Sequence, residues 1–141
     1  MLIHKTTPNE MLSNPEIKDM LPSLSAEEFP VEEMIKCIST MDVYRVGDIG
    51  FLIIRDSHIT GCKECHAYFF PSQRNKSIKG LKAIVDFVKH QGYNVYTTVT
   101  GDFPHVLRLL KMIGFSVIEV EENALTKGGV KYPLFHLTNN V

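Results

Sequence analysis

The hydrophobic pattern opens with a short strand, Leu2 to Thr6, after which Pro8, Asn9, Asn14, Pro15 and Pro22 cut the chain into short helical pieces. Proline inside a helix removes a backbone donor and clashes with the preceding turn. Ser25-Ala26-Glu27-Glu28 has the form of a capping box, Ser25 as N-cap and Glu28 three residues on, and predicts a helix to about Ser39. Asp42 to Val46, a turn at Gly47-Asp48, and Phe51 to Arg55 predict two antiparallel strands. Cys62 to Phe70 alternates short or polar residues with aromatics and predicts a third strand of this meander. The period then changes. Ile78, Leu81, Ile84, Val85 and Val88 recur at helical spacing while Lys79, Lys82, Asp86 and Lys89 fall on other faces, giving an amphipathic helix from about Lys76 to Gln91. Tyr93 to Val99 is β-branched and aromatic and reads as a strand, so strand, helix and strand imply a parallel crossover. Asp102, Pro104 and apolar Phe103, Val106, Leu107, Leu110 and Ile113 define a further helix stopped by Gly114. Ser116 to Glu122 and Val130 to Leu137 form a closing hairpin about Lys127-Gly128-Gly129. The order is a strand, helices, an antiparallel meander, then β-α-β-α-β-β. It predicts an α/β fold, one mixed sheet with helices on both faces, over a single domain of residues 1–141.

Composition narrows the function classes. With 44% hydrophobic and 22% charged residues the chain is an ordinary soluble globular one, without repeat or low-complexity tract. A net charge of −1 supplies no broad basic field, so no nucleic-acid partner is expected. Three cysteines, an odd number, are too few for a disulfide framework and fit a reducing compartment. The start of the chain lacks a basic flank followed by an apolar run, and no segment nears the roughly 18 apolar residues of a span, so a cytoplasmic protein with no membrane partner is expected.

Two segments carry a resemblance. In Phe69-Phe70-Pro71-Ser72-Gln73-Arg74-Asn75-Lys76-Ser77-Ile78-Lys79 a strand ends in an apolar residue, a proline follows, and an arginine three residues on opens a loop into a helix. In Leu109-Leu110-Lys111-Met112-Ile113-Gly114-Phe115 a helix ends in Gly-Phe before the closing strands. Together with the order of elements, these resemble the GNAT N-acetyltransferase superfamily, whose loop has the form Q/R-x-x-G-x-G/A and whose later helix ends in L-Y-x-K-L-G-F. The resemblance implies acetyl-CoA as acetyl donor and an amine as acceptor. It also implies a coenzyme site at Phe69, Phe70, Arg74, Asn75, Lys76, Ser77, Ile78 and Lys79. Backbone N–H groups at a helix start hold a pyrophosphate, and glycines allow the close approach. Here Ser77 and Lys79 stand at the two glycine positions, so the loop is degenerate. Leu110 stands where the family has its proton-donating Tyr, and Phe103 where many members have Asn; neither exchanges a proton. Tyr93, Tyr96 and Tyr132 are the substitutes if the fold brings one near.

A base is available on the strand before the loop. Glu64, His66 and Tyr68 alternate with Cys65, Ala67 and Phe69 and so share a face; Glu64 is the first candidate and His66 the second, against the plainer reading of a polar outer face. Cys62-Lys63-Glu64-Cys65-His66 matches the haem-attachment pattern C-x-x-C-H, but haem attachment requires export, so no haem is expected. A lone C-x-x-C lacks a second ligand pair, and on a strand Cys62 and Cys65 face apart, so no metal is expected either. The altered loop and Leu110 also suit a rival, a GNAT-like binding or assembly protein without the chemistry. Its small size resembles the short GNAT-like proteins of tailed phages, which would add host cytoplasm or virion as location and a virion protein or a second copy as partner.

Overall fold

The computed structural model describes residues 1–139. The elements in order are β1 (Ile3–Thr6), α1 (Pro8–Ser13), α2 (Pro15–Leu24), α3 (Val31–Ile38), β2 (Asp42–Val46), β3 (Gly50–Asp56) and β4 (Cys62–Phe69). A 3₁₀ turn (Pro71–Lys76) then leads into α4 (Ser77–His90), β5 (Asn94–Thr100), α5 (Pro104–Met112), β6 (Ser116–Lys127) and β7 (Val130–Thr138). They build one seven-stranded sheet in the order β1-β2-β3-β4-β5-β7-β6. β4 and β5 pair in parallel, and the other neighbours are antiparallel. The mixed sheet read from the sequence is therefore the observed one.

Prolines start the first two helices rather than break them. Thr7 caps α1 by accepting from the Glu10 N–H, and the Asn14 side chain caps α2 by accepting from the Glu16 and Ile17 N–H groups. Pro8 and Pro15 follow at the first helical position, where the missing donor is unused. The predicted capping box at Ser25 does not form. Ser25 ends α2, Ala26 and Phe29 pair across a turn, and the next helix starts only at Val31. Pro30 explains the shift, since it lacks an N–H and disfavours helical backbone at the residue before it. Glu28 is instead an acceptor for the N–H and Oγ1 of Thr126 in β6, at 2.7 and 2.8 Å.

Strand alternation divides the core in two. Leu52, Ile54, Cys65, Val95, Val99 and Leu137 point to α4 and α5, where they meet Ile84, Val88 and Leu110. Val43, Phe51 and Ile53 point the other way and meet Met11, Ile17, Leu21, Met34 and Ile38 of α1–α3. Each fully buried side chain of this size contributes roughly 1.5–3 kcal/mol. No helix among the described residues is long and apolar enough to cross a membrane.

Gly50 sets the spacing of β3 on β4. A Cβ there would run into the Tyr68 carbonyl oxygen and lie 2.8 Å from the Phe69 Cα, backbone atoms that cannot rotate away. Gly50→Ala should destabilise the fold by about 1–3 kcal/mol, read as a lower urea midpoint at unchanged slope.

Candidate active site at the parting of two strands

β4 and β5 run side by side only for the pairs Cys62↔Asn94, Lys63↔Val95 and Glu64↔Tyr96. Beyond them β5 follows β7, from Tyr96↔Thr138 to Thr100↔Leu134, and leaves β4. The Thr97 hydroxyl donates to the Cys65 carbonyl at 2.7 Å where a strand bond would otherwise lie. The carbonyls of Gly61 and Cys65 both face β5. By the same alternation the backbone groups of Ala67 and Phe69 face the gap, and no strand among the described residues pairs with them there.

The loop residues sit at the open end of this gap in unequal roles. Arg74, Asn75, Lys76, Ile78 and Lys79 are exposed. Ser77 gives both its N–H and its hydroxyl to the Arg74 carbonyl. Phe69 is half-buried against the α4 side, whereas Phe70 is buried in the other core with its ring edge-on to Phe51. The glycine of this segment is Gly80. It lets α4 lie close, for a Cβ there would come within 2.6 Å of Ile49 Cδ1 and 2.9 Å of the Phe69 ring.

Glu64, His66 and Tyr68 share the face turned to α1–α3, as their alternation requires. It is not the solvated outer face of the plainer reading: Glu64 is buried, and His66 and Tyr68 are half-buried. The Arg55 Nη2 and the His66 Nε2 each lie 2.6 Å from the same Glu64 oxygen, Oε2. Burial pushes the Glu64 carboxyl upward, but the hydrogen bonds from His66 and Arg55 and their charges outweigh it and hold the group at about 2. Glu64 is thus an ion-paired carboxylate that takes up protons poorly. His66 turns Nε2 to that carboxylate and donates through it.

On the other side of the parting lies a chain that the sequence reading missed. The Tyr96 hydroxyl is 2.5 Å from His136 Nδ1, and His136 Nε2 is 2.5 Å from Glu121 Oε1 and 3.6 Å from Glu119 Oε2. A bulge hides it. Between Val117↔Leu137 and Glu119↔His136 the register shifts by one residue, which turns Glu119 and Glu121 onto the face of His136 instead of that of Val117. Glu119, Glu121 and His136 also bring three metal-type ligand atoms within 4.8 Å of one another, a grouping their spacing in sequence does not reveal.

Leu110 is buried in the α5 core. Tyr93 is exposed beneath Lys63, and Tyr132 is paired along β6. Cys65 packs in the core, where burial pushes its thiol up to about 12, and Cys62 follows the turn at Ile59. A clasp joins the α2–α3 connection to the far strands: Lys127 bonds the Ser23 carbonyl and Asp102, alongside the Glu28 contacts to Thr126.

Comparison with solved structures identifies the fold as that of the GNAT acetyltransferases. A GNAT-superfamily phosphinothricin acetyltransferase from Sinorhizobium meliloti, in complex with acetyl-CoA, aligns at TM-score 0.72 and 17% identity over 97% of this chain and 86% of its own. A ribosomal-protein-alanine N-acetyltransferase from Brucella melitensis aligns at 0.71 and 13% identity over 98% of each chain. An N-acetyltransferase from Staphylococcus aureus Mu50 aligns at 0.71 and 14%, over 97% and 96%. No family model and no curated protein matches the sequence.

The Glu64 pairing predicts a pH dependence. The folded value of about 2 lies below the ordinary carboxyl range near 4.3, so the pair's contribution is complete above about pH 5 and lost as pH falls through 2. Glu64→Gln should therefore cost on the order of 1–3 kcal/mol at pH 7, with the gap to wild type closing between pH 5 and pH 2 in urea denaturation series.

Proposed function

We propose that the protein is an acetyl-CoA-dependent N-acetyltransferase. The observation that carries this reading is the parting of β4 and β5 beyond Glu64↔Tyr96, with the Arg55–Glu64–His66 set on one face beside it. The unpaired edge of β4 offers backbone donors and acceptors to the amide groups of an extended coenzyme arm. Arg74, Lys76 and Lys79 offer positive charge to its phosphates at the start of α4. Complexes of acetyl-CoA with proteins of this fold support the same reading. Acetyl-CoA supplies an acetyl thioester open to attack by an amine. His66 takes the amine's proton at Nδ1, and Glu64 fixes the ring by accepting from Nε2, so the base is His66 with Glu64 as its positioning residue.

Ser77, Lys79 and Leu110 favour a second reading, a scaffold that keeps the fold without the chemistry. Calorimetric titration with acetyl-CoA separates the two: heat of binding is expected for the enzyme, and its absence removes that reading. Among a panel of amines at least one should turn over. His66→Ala should then lower kcat by ~10²–10⁴-fold with coenzyme affinity unchanged. Ser77→Gly combined with Lys79→Gly should tighten the coenzyme by opening the backbone at the helix start; unchanged affinity in a folded double variant would remove the loop from the binding site.

A further inference from the structure

His136 turns one ring nitrogen, Nε2, to two carboxylates at once, Glu121 Oε1 at 2.5 Å and Glu119 Oε2 at 3.6 Å. That nitrogen carries at most one proton and can satisfy only one of them. Among the described residues neither carboxylate is paired with a Lys or Arg, whereas the comparable set on β4 is already closed by Arg55 on Glu64. We propose that His136, Glu119 and Glu121 form a site for one divalent transition-metal ion of the zinc class, and that Tyr96 positions the imidazole for it. The site stands independently of acetyl transfer.

The geometry is near that of a loaded site. Two bonds of about 2.0–2.2 Å meeting at a tetrahedral angle hold their ligand atoms roughly 3.3–3.6 Å apart. Glu119 already stands at that distance from Nε2, and the three ligand atoms all lie within 4.8 Å of one another. Glu121 is closer than an ion allows, but its side chain is exposed and free to swing back. The ion takes the place of the proton between Nε2 and Glu121, and that proton leaves to solvent. The backbone sets the grouping: Glu119 is the direct cross-strand partner of His136, and the β6 bulge keeps Glu121 on the same face, one diagonal step away.

The imidazole is held from behind. His136 is 8% exposed, and its Nδ1 lies 2.5 Å from the hydroxyl of Tyr96, itself 3% exposed and stacked on the histidine ring. With Nδ1–H donated to the Tyr96 oxygen, the Nε2 lone pair is left for the metal; a ligating histidine ordinarily has an outer partner of this kind. One imidazole nitrogen with two carboxylates suits zinc and its neighbours over Ca²⁺ and Mg²⁺, which take oxygen ligands. Three protein ligands on an exposed edge strand leave the fourth position open to water.

The test is calorimetric titration of chelator-treated protein with Zn²⁺, with Mg²⁺ and Ca²⁺ in parallel. We expect one zinc ion per chain and no binding of the other two at the same concentrations. Glu119→Gln combined with Glu121→Gln keeps the shape of two exposed side chains, and should weaken zinc by more than the ~10–100-fold that loss of an outer partner costs. Tyr96→Phe, which keeps the ring and its packing, should weaken it by ~10–100-fold. Zinc should raise the urea midpoint of wild type and not that of the double variant. In nitrogen-resolved NMR of the imidazole rings, zinc should shift Nε2 of His136 and leave the other histidines in place. No binding by wild type, equal affinity in the double variant, or a shift at a different histidine overturns the site. Unchanged affinity in Tyr96→Phe overturns only the role of Tyr96.

Discussion

The parting of β4 from β5 after Glu64↔Tyr96 is the constraint on which the site depends. Backbone donors and acceptors inside a protein must be paired, and a sheet normally pairs them without interruption. Here β5 turns to complete its register with β7, and the Thr97 hydroxyl supplies the Cys65 carbonyl with its last partner. The next positions of β4 are left facing a gap. Because the two strands are parallel, the gap opens toward their C-terminal ends, where the 3₁₀ turn and the start of α4 carry Arg74, Lys76 and Lys79. Gly80 lets α4 settle against Ile49 and Phe69 and so fixes that opening beside the strand end.

The two polar sets flank this parting from adjacent strands. On the β4 side Arg55 and His66 converge on one oxygen of Glu64, and two charge-assisted bonds there outweigh the cost of burying a carboxylate. On the β5 side Tyr96 is tied to His136, and the ring of His136 to Glu121. Both sets lie on the face that α1–α3 cover only in part. Apolar packing occupies that face at Val43, Phe51 and Ile53, which meet α1–α3. The clasp of Glu28, Lys127 and Asp102 joins the helical layer to the far strands across this region. A fold shared with acetyltransferases leaves the chemistry open, so any function must be argued from particular side chains.

Much of this was legible in the chain before its folding was known, because the signals are local. Strand alternation over Cys62 to Phe69 put Glu64, His66 and Tyr68 on one face, and the 3.6 period from Ile78 to Val88 announced α4. Gly-Phe at 114–115 and the Pro71-to-Arg74 segment pointed to the fold itself. The same local logic failed at Ser25, where Pro30 overruled a sound capping pattern.

What tertiary structure alone decided are the relations between distant segments. Glu64 is a carboxylate by sequence, and only the arrival of Arg55 from β3 makes it an ion-paired group. Glu119 and Val117 should share a face by the twofold period of a strand, and the bulge at β6 separates them and delivers the carboxylates to His136. The period of a strand or helix is set by bonds between near neighbours and is therefore written in a short stretch of sequence. Register, bulge position and the meeting of charges depend on which strand lies alongside, and that choice is made by the whole sheet at once.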